Sequence, residues 1–398
     1  MSPTAHQPVA GYGVAMSGSA GTRAGLARFA GVAASDVVES IDVRTEAHRL
    51  RTPGWWALVG EFEGPVRAWR FARTWRPRAE PGASPWHGPS AGSWTSTLDE
   101  AGYRAGVEAV RERIRAGEVY QVTLCRVLSA PSPRPDALAL HTVLERGNPA
   151  PFAGLVDVPP AGDDPGTWVV SASPELFLRL DGGVITSAPI KGTALSPAEL
   201  GDKDRAENVM ITDLVRNDLQ RVCRPGTVAV STLLGLEEHP GLVHLVSTVQ
   251  GRLVDEVLRA DDLWARLLAA TYPPGSVSGA PKSSALRAIG TLEPVPRGPY
   301  CGLVGWVRMG ADGTVRARLA VSIRTFWWAD GRLHFGTGAG ITWGSDAGAE
   351  WAETELKARR LVALASTDEA PASTDEAPAS TDEAPASTDE ATRGGVRP

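Results

Sequence analysis

The sequence predicts an α+β protein, a mixed α/β arrangement of helices and antiparallel-looking strands, on three observations. Short apolar and aromatic runs are punctuated by glycine and proline, as strands are. Other stretches place apolar residues three and four apart, the period of a helix. The two textures follow no regular βαβ alternation, which excludes a doubly wound parallel sheet. At 398 residues, 42% of them hydrophobic, the chain is long enough to bury a large core.

Residues 1 to about 12 read as a frayed terminus. From Val37 to about Arg76, runs such as Trp55-Trp56-Ala57-Leu58-Val59 and Val66-Arg67-Ala68-Trp69-Arg70-Phe71 predict strands. The Pro/Gly/Ser-rich stretch Pro77 to Ser93 reads as a loop. After Thr97, Tyr103, Val107, Val110 and Ile114 recur at helical spacing, with Gly117 as the stop. A strand is expected over Val119 to Leu128, and a strand-turn-strand over Trp168 to Thr186, pivoting on Asp181-Gly182-Gly183. A helix fits Asp204 to Val222, followed by mixed helix and loop to about Leu292. Strands over Tyr300 to Phe335 and a helix over Ala347 to Ala363 complete the block. This divides the chain into a strand-rich region at 1–90 belonging to the same fold, a main block at 91–366 and a tail at 367–398.

The tail repeats Ala-Ser-Thr-Asp-Glu-Ala-Pro with a period of seven. Each full repeat ends in proline and none offers two large apolar positions, so disorder is expected rather than a coiled coil. From Ala365 onward, four Asp-Glu pairs against two arginines account for the whole formal charge of −6. The body is therefore neutral and lacks the basic excess that nucleic-acid binding needs. Three scattered cysteines, Cys125, Cys223 and Cys301, suit a reducing compartment and neither a disulfide framework nor a zinc cluster. No apolar run has the length of a signal peptide or membrane span, so the expected location is the cytoplasm, with no membrane partner.

Four segments hold candidate chemistry. In the first, Glu175 of Ser173-Pro174-Glu175 precedes Pro189-Ile190-Lys191-Gly192-Thr193, where an acid and a lysine can face one another across a hairpin. Taken alone, Lys191 reads as an ordinary solvated lysine. Lodged in a dry site, it would instead be a neutral amine nucleophile. In the second, Glu207, Ile211, Leu214 and Asp218 share one helical stripe, so two acids face inward and need a metal or a salt bridge, for instance to Arg216 or Arg221. The third is the last helix, where Glu353 and Lys357 stand at i, i+4 and Glu350 lies one turn earlier. The fourth, Gly336-Thr337-Gly338-Ala339-Gly340-Ile341, reads as a glycine-rich turn. It fails as a dinucleotide motif, but its N–H groups can converge on a carboxylate. His244 sits among apolar residues, and no Ser-His-Asp or Cys-His arrangement stands out.

Taken together and in order, these motifs resemble the chorismate-utilising enzymes. The resemblance runs from about Thr97 to Leu364. It includes Tyr120-Gln121-Val122-Thr123-Leu124, Ser173-Pro174-Glu175, Pro189-Ile190-Lys191-Gly192-Thr193, Glu207-Asn208-Val209-Met210, Arg216-Asn217-Asp218-Leu219 and His244-Leu245-Val246-Ser247. Gly275 to Lys282, Arg297-Gly298-Pro299-Tyr300, Ile323-Arg324-Thr325, Gly338-Ala339-Gly340-Ile341 and Glu353-Thr354 complete it.

The resemblance implies large antiparallel sheets in a sandwich with helices packed outside. Gln121, where water-adding members have a lysine base, and Lys191, where anthranilate synthases have alanine, imply the branch that aminates chorismate at C4, the aminodeoxychorismate synthases feeding p-aminobenzoate. It implies Lys191 as covalent nucleophile and Glu175 as proton donor, with Gln121, Thr193 and His244 around the reacting ring. Tyr300, Arg324, Lys357 and the backbone of Gly338 and Gly340 would hold the substrate carboxylates, and Glu207 and Glu353 a Mg²⁺. The chain has no Gly-x-Cys-x-Gly elbow, so a separate glutamine amidotransferase subunit is the implied ammonia source. Departures from the family pattern are Thr123 for Asn, Pro274 for Gly, Ser278 for Thr and Gly344 for Asp. Val37-Val38-Glu39-Ser40 is only a faint echo of a tryptophan-binding segment. Anthranilate synthesis and non-catalytic chorismate binding are the alternatives.

Overall fold

The computed structural model describes residues 22–29, 31–77, 84–194, 196–239 and 242–367. The frayed start expected over residues 1 to 12 and the repeat tail from 368 lie outside them, and the loop expected over Pro77 to Ser93 is described only in part.

The first strands are β1 (Arg23–Phe29), β2 (Val32–Asp42), β3 (Gly54–Gly60) and β4 (Val66–Trp75), with a one-turn helix α1 (Val43–Glu46) after β2. Next come β5 (Thr95–Ser96), α2 (Glu100–Arg115), β6 (Gln121–Pro131), α3 (Ala137–Gly147), β7 (Phe152–Val158), β8 (Thr167–Ser173), β9 (Leu176–Asp181), β10 (Val184–Ala188) and β11 (Ile190–Ala194). Helix α4 (Asp202–Gln220) leads into β12 (Ala229–His239) and β13 (Leu242–Arg252), then α5 (Asp255–Leu258) and α6 (Leu263–Thr271). The chain continues with β14 (Gly279–Ala280), α7 (Lys282–Leu292), β15 (Leu303–Met309), β16 (Val315–Val321), β17 (Thr325–Ala329), β18 (Arg332–Ile341) and α8 (Ala347–Ala365).

All the described strand pairs are antiparallel and join into one continuous ladder. It runs β12, β13, β10, β9, β16, β15, β3, β4, β2, β1 and β7, then β8, β17, β18 and β6. Strand β11 follows β10 along the same edge of β13, and β14 and β5 border β6. The α+β expectation thus holds, with one large antiparallel sheet and helices laid on it. Strand β3 is buried on both faces, which is why its sequence reads as a run of apolar residues rather than an alternation.

Helix α2 starts where Asp99 accepts a hydrogen bond from the Gly102 N–H at 2.8 Å and buries the stripe Tyr103, Val107 and Val110. Gly117, at φ 76°, follows its end, as the sequence predicts. Helix α4 packs on β11, β12 and β13, and α8 on β18 and α2. A second apolar cluster under α3 and α8 seats Trp168, Phe326, Phe335 and Leu361.

The mixed helix and loop expected up to Leu292 is overturned at 229–252, which is the hairpin β12–β13, each strand eleven residues long. Two bulges in β12, around Thr232 and before Gly235, shift the phase of its side chains and erase the period-two signature. His244 accordingly lies on a strand.

Candidate functional site

Gly336 to Ile341 is not a turn. It is the second half of β18, paired with β6 through to Val122. Strand β17 pairs with β18 only as far as Phe335, so beyond that point the second edge of β18 meets no strand among the described residues. The Gly338 carbonyl accepts from Lys357 Nζ at 3.0 Å. Opposite β18, the N–H groups of Thr123 and Cys125 also turn away from it, to the Ser278 carbonyl at 2.9 Å and the Glu293 carboxylate at 2.9 Å. Gly338–Cys125 and Gly340–Thr123 are therefore the non-hydrogen-bonded pairs of the ladder, which leaves the N–H groups of both glycines on the open edge. The two N–H groups share one edge of the strand, side by side, and do not converge as those of a turn would.

The glycines also make room for neighbours. A Cβ on Gly340 would stand 2.3 Å from Gln121 Nε2 and 3.3 Å from Glu207 Oε2, and one on Gly336 would stand 2.1 Å from the Tyr300 ring. Gln121, fully buried at the start of β6, donates from Nε2 to Glu207 Oε2 at 3.0 Å.

Glu207 on α4 faces Glu350 and Glu353 on α8. Burial raises the Glu207 pKa above the ordinary carboxylate range; Lys191 and Lys203 oppose the rise, and the two α8 glutamates add to it. Burial acts most strongly on Glu353, but Lys357, bonded to it at 2.6 Å, together with Lys203 and Lys191, outweighs burial and holds its pKa below the ordinary value. Glu350 is 2% exposed and pairs with Lys203 Nζ at 2.7 Å, while its second oxygen is buried without a hydrogen-bond partner. Among the described residues no three acidic, histidine or cysteine side chains close into a ready-made metal cage. The two facing helices instead present acidic oxygens, among them Glu350 Oε2, which is buried with spare acceptor capacity.

Lys191 sits on a bulge. Between the pairs Ile190–Val246 and Thr193–His244, β11 uses one residue more than β13. Gly192, at φ 81°, supplies the left-handed residue there, and a Cβ on it would reach 2.9 Å from Asp204 Cβ on α4. Such bulges re-aim a side chain. Lys191 is half-buried and lies within electrostatic reach of Glu175, Glu207 and Glu353.

Glu175 occupies the two-residue step between β8 and β9 and is 3% exposed. Burial pushes its pKa up to about 7, against the Ser276 hydroxyl, Lys191 and the Ile190 N–H, all of which favour the charged form. A cavity of about 10 Å³ behind it, lined by Ser187, Asp218, Thr271 and Ser276 among others, is large enough for one water and does not reach Lys191.

Tyr300 and Arg324 come from the segments before β15 and before β17. Tyr300 is buried and its ring covers Gly336. Arg324 precedes β17 at φ 51°, a strained left-handed position for a side-chain-bearing residue, and burial lowers its pKa. Its guanidinium has no acidic partner among the described residues. A desolvated cation without an anion is a seat for an anionic ligand. No hydrogen bond among the described residues ties Tyr300 or Arg324 to the acid cluster. His244 is buried on β13, opposite Thr193 in the register.

The sequence leaves Asp218 open between a metal and a salt bridge, for instance to Arg216 or Arg221; the structure shows a salt bridge, with Lys282, and Arg221 acts on Asp218 only through its charge. Asp218 accepts from Lys282 Nζ at 2.6 Å, and Lys282 also donates to the Thr271 carbonyl at 3.0 Å, while Arg216 pairs with Asp213 at 2.6 Å. Arg297 was also missed as a tie. Fully buried, it pairs with Glu293 at 2.6 Å and donates to the Thr123 and Val277 carbonyls at 2.7 and 2.8 Å, bracing β6 against the loop before β14. Lys203 and Ser276 were missed as well. Only Lys203 carried a signal, its position four residues before Glu207 on one helix face.

A family profile described as chorismate binding enzyme matches residues 67–363. The chain belongs to the chorismate-binding enzyme family. Anthranilate synthase component 1 of Streptomyces coelicolor is 40% identical over 290 residues, 70% of this chain and 54% of that protein. Aminodeoxychorismate synthase of Streptomyces griseus is 36% identical over 80% of this chain and 45% of its own length. Aminodeoxychorismate synthase component 1 of Klebsiella aerogenes is 36% identical over 68% of this chain and 59% of its own. The chain thus spans about half the length of these relatives. The fold matches anthranilate synthase component I of Streptococcus pneumoniae, with TM-score 0.66 and 22% identity over 90% of this chain and 94% of that one. It also matches the menaquinone-specific isochorismate synthase of Escherichia coli, with TM-score 0.69 and 19% identity over 86% and 88%.

Proposed function

We propose that the chain is a chorismate-utilising enzyme that aminates chorismate at C4 with ammonia, giving 4-amino-4-deoxychorismate, as an aminodeoxychorismate synthase component 1. The observation that carries this reading is Lys191 on its bulge, within reach of a buried Glu175 that holds its proton to about pH 7.

Chorismate is a dianion with a poor leaving group at C4. The lone Arg324 and the open N–H groups of Gly338 and Gly340 suit its carboxylates, with Lys357 and Tyr300 beside them. Lys191 attacks C2 through its amine while Glu175 delivers its proton to the departing 4-hydroxyl. Ammonia then attacks C4 and expels the lysine. Gln121 carries an amide that takes up no proton, which disfavours activation of water and leaves ammonia as the nucleophile. His244, opposite Thr193 in the register of β11 and β13, would line the reacting side of the ring.

Glu207 and Glu353 would hold a Mg²⁺, which commonly takes one or two protein carboxylates and completes its shell with ligand oxygens and water. The spare acceptor oxygens between α4 and α8 fit such an ion better than they fit a bare dianion. When bound, the metal supplies Lewis-acid neutralisation of the ring carboxylate. A separate glutamine amidotransferase subunit, as the names of component 1 relatives suggest, would supply the ammonia.

The 40% identity to an anthranilate synthase component favours a second reading, amination at C2 with loss of pyruvate. Incubation with chorismate, Mg²⁺ and ammonium separates the two. Anthranilate is fluorescent and needs no second enzyme, whereas the C4 product becomes p-aminobenzoate only after a lyase is added. Strong anthranilate formation overturns the first reading. Lys191→Ala is expected to abolish the C4 product, and an unchanged rate removes the lysine from the chemistry.

A further inference from the structure

Lys203 has no role in the chemistry proposed above, yet its ammonium lies between Glu207, one of the two carboxylates assigned to the metal, and the buried Glu350. From the first turn of α4 it bonds Glu350 Oε1 at 2.7 Å and stands 4.0 Å from Glu207 Oε1. We propose that Lys203 is a tethered competitor of the divalent cation: in the metal-free chain it neutralises Glu350 and Glu207, and the metal enters by displacing it. This rests on the metal reading of Glu207 and Glu353.

Three features of the acid cluster require such a cation. Glu350 is 2% exposed, and an ionised carboxylate at that depth needs a positive partner. Its other oxygen has spare capacity and no donor. Glu207, Glu350 and Glu353 lie close enough to repel one another, and with Glu353 bonded to Lys357, Lys203 is the cation bonded to Glu350.

Lys203 is also built to leave. Its side chain is 47% exposed, so the ammonium can swing into water without burial cost. A divalent ion on Glu207 and Glu353 would bring two positive charges beside the ammonium, and the repulsion drives the lysine out. The arrangement keeps the acid cluster balanced with or without metal and holds metal affinity below what the carboxylates alone would give.

The test is direct titration of the full chain with Mg²⁺ by calorimetry, and with Mn²⁺ by electron paramagnetic resonance, in the absence of chorismate. Lys203→Gln keeps a hydrogen bond to Glu350 and removes the charge, and Lys203→Met removes both. Melting curves in EDTA identify any variant that fails to fold. Both variants are expected to bind the ions about tenfold tighter than the unaltered chain, with Lys203→Arg close to the unaltered affinity. Equal or weaker binding by a folded Lys203→Gln overturns the proposal and reduces Lys203–Glu350 to a tie between α4 and α8. Absence of binding by every form overturns it too, together with the metal assignment. The product assay judges the amination reading separately, since tighter binding by Lys203→Gln stands whichever amine forms.

Discussion

Gln121 donates its amide hydrogen to Glu207 across 3.0 Å, directly over the α-carbon of Gly340. Three segments, β6, α4 and β18, meet at this point, and the bare α-carbon of Gly340 leaves room for the bond without moving the Gln121 amide.

Gly340→Ala is therefore expected to break the contact. A Cβ 2.3 Å from Gln121 Nε2 forces the amide or the strand to move, at a cost of about 1–3 kcal/mol in stability. The proposed amination should slow by at least about 100-fold, because an ångström of misplacement beside reacting groups has that effect. Steady-state rates and urea unfolding of the same preparation check both parts.

Arg324 gives a prediction of opposite sign for stability and function. Its guanidinium is desolvated without an acidic partner, so Arg324→Met should stabilise the chain by about 1 kcal/mol, roughly 2 °C in Tm. The same change should raise the KM for chorismate at least about 30-fold. A lower Tm with unchanged KM would show that the arginine is structural.

Glu175 links stability to pH. Its folded pKa of about 7 exceeds the ordinary value of 4.5, so the folded state holds the proton more tightly than the unfolded chain. That contribution is complete below about pH 4.5 and is lost as pH rises through about 7, amounting to about 3 kcal/mol at most. Glu175→Gln should flatten the fall in Tm between about pH 4.5 and pH 7. It should also slow amination sharply, since the amide has no proton to give.

Asp218 and Lys282 form a buried pair joining α4 to α7. Removing one partner, as in Asp218→Ala, should cost about 3–5 kcal/mol, whereas Asp218→Leu with Lys282→Met should recover much of it. A double-mutant cycle in urea measures the coupling.

The sequence made the elements near the site legible where local rules acted alone. The stripe of α2, its stop at Gly117 and the double glycine between β9 and β10 obey propensity and turn chemistry. Asp218 was recognised as an inward acid, but its partner lies 64 residues on, and no local rule reaches that far. Strand β12 escaped because its bulges break the alternation by which a strand is read. The glycines of β18 looked like a turn because nothing in the sequence shows that β6 lies alongside. Their spacing of two was the one available hint, since it puts all three on a single face of a strand. Lys191 stood out in sequence, whereas the bulge that aims it is a property of register.

The cleft draws on β6, the β8–β9 step, β11, α4, β18 and α8, from Gln121 to Lys357. Strands β6 and β18, neighbours in space, are more than two hundred residues apart along the chain. No half of this molecule can therefore be expressed alone and retain chemistry, and exchanging one segment with a relative would mismatch every other. The site also cannot close on a growing polypeptide before α8 has been synthesised, because only then do the glutamates of α4 meet their counterparts.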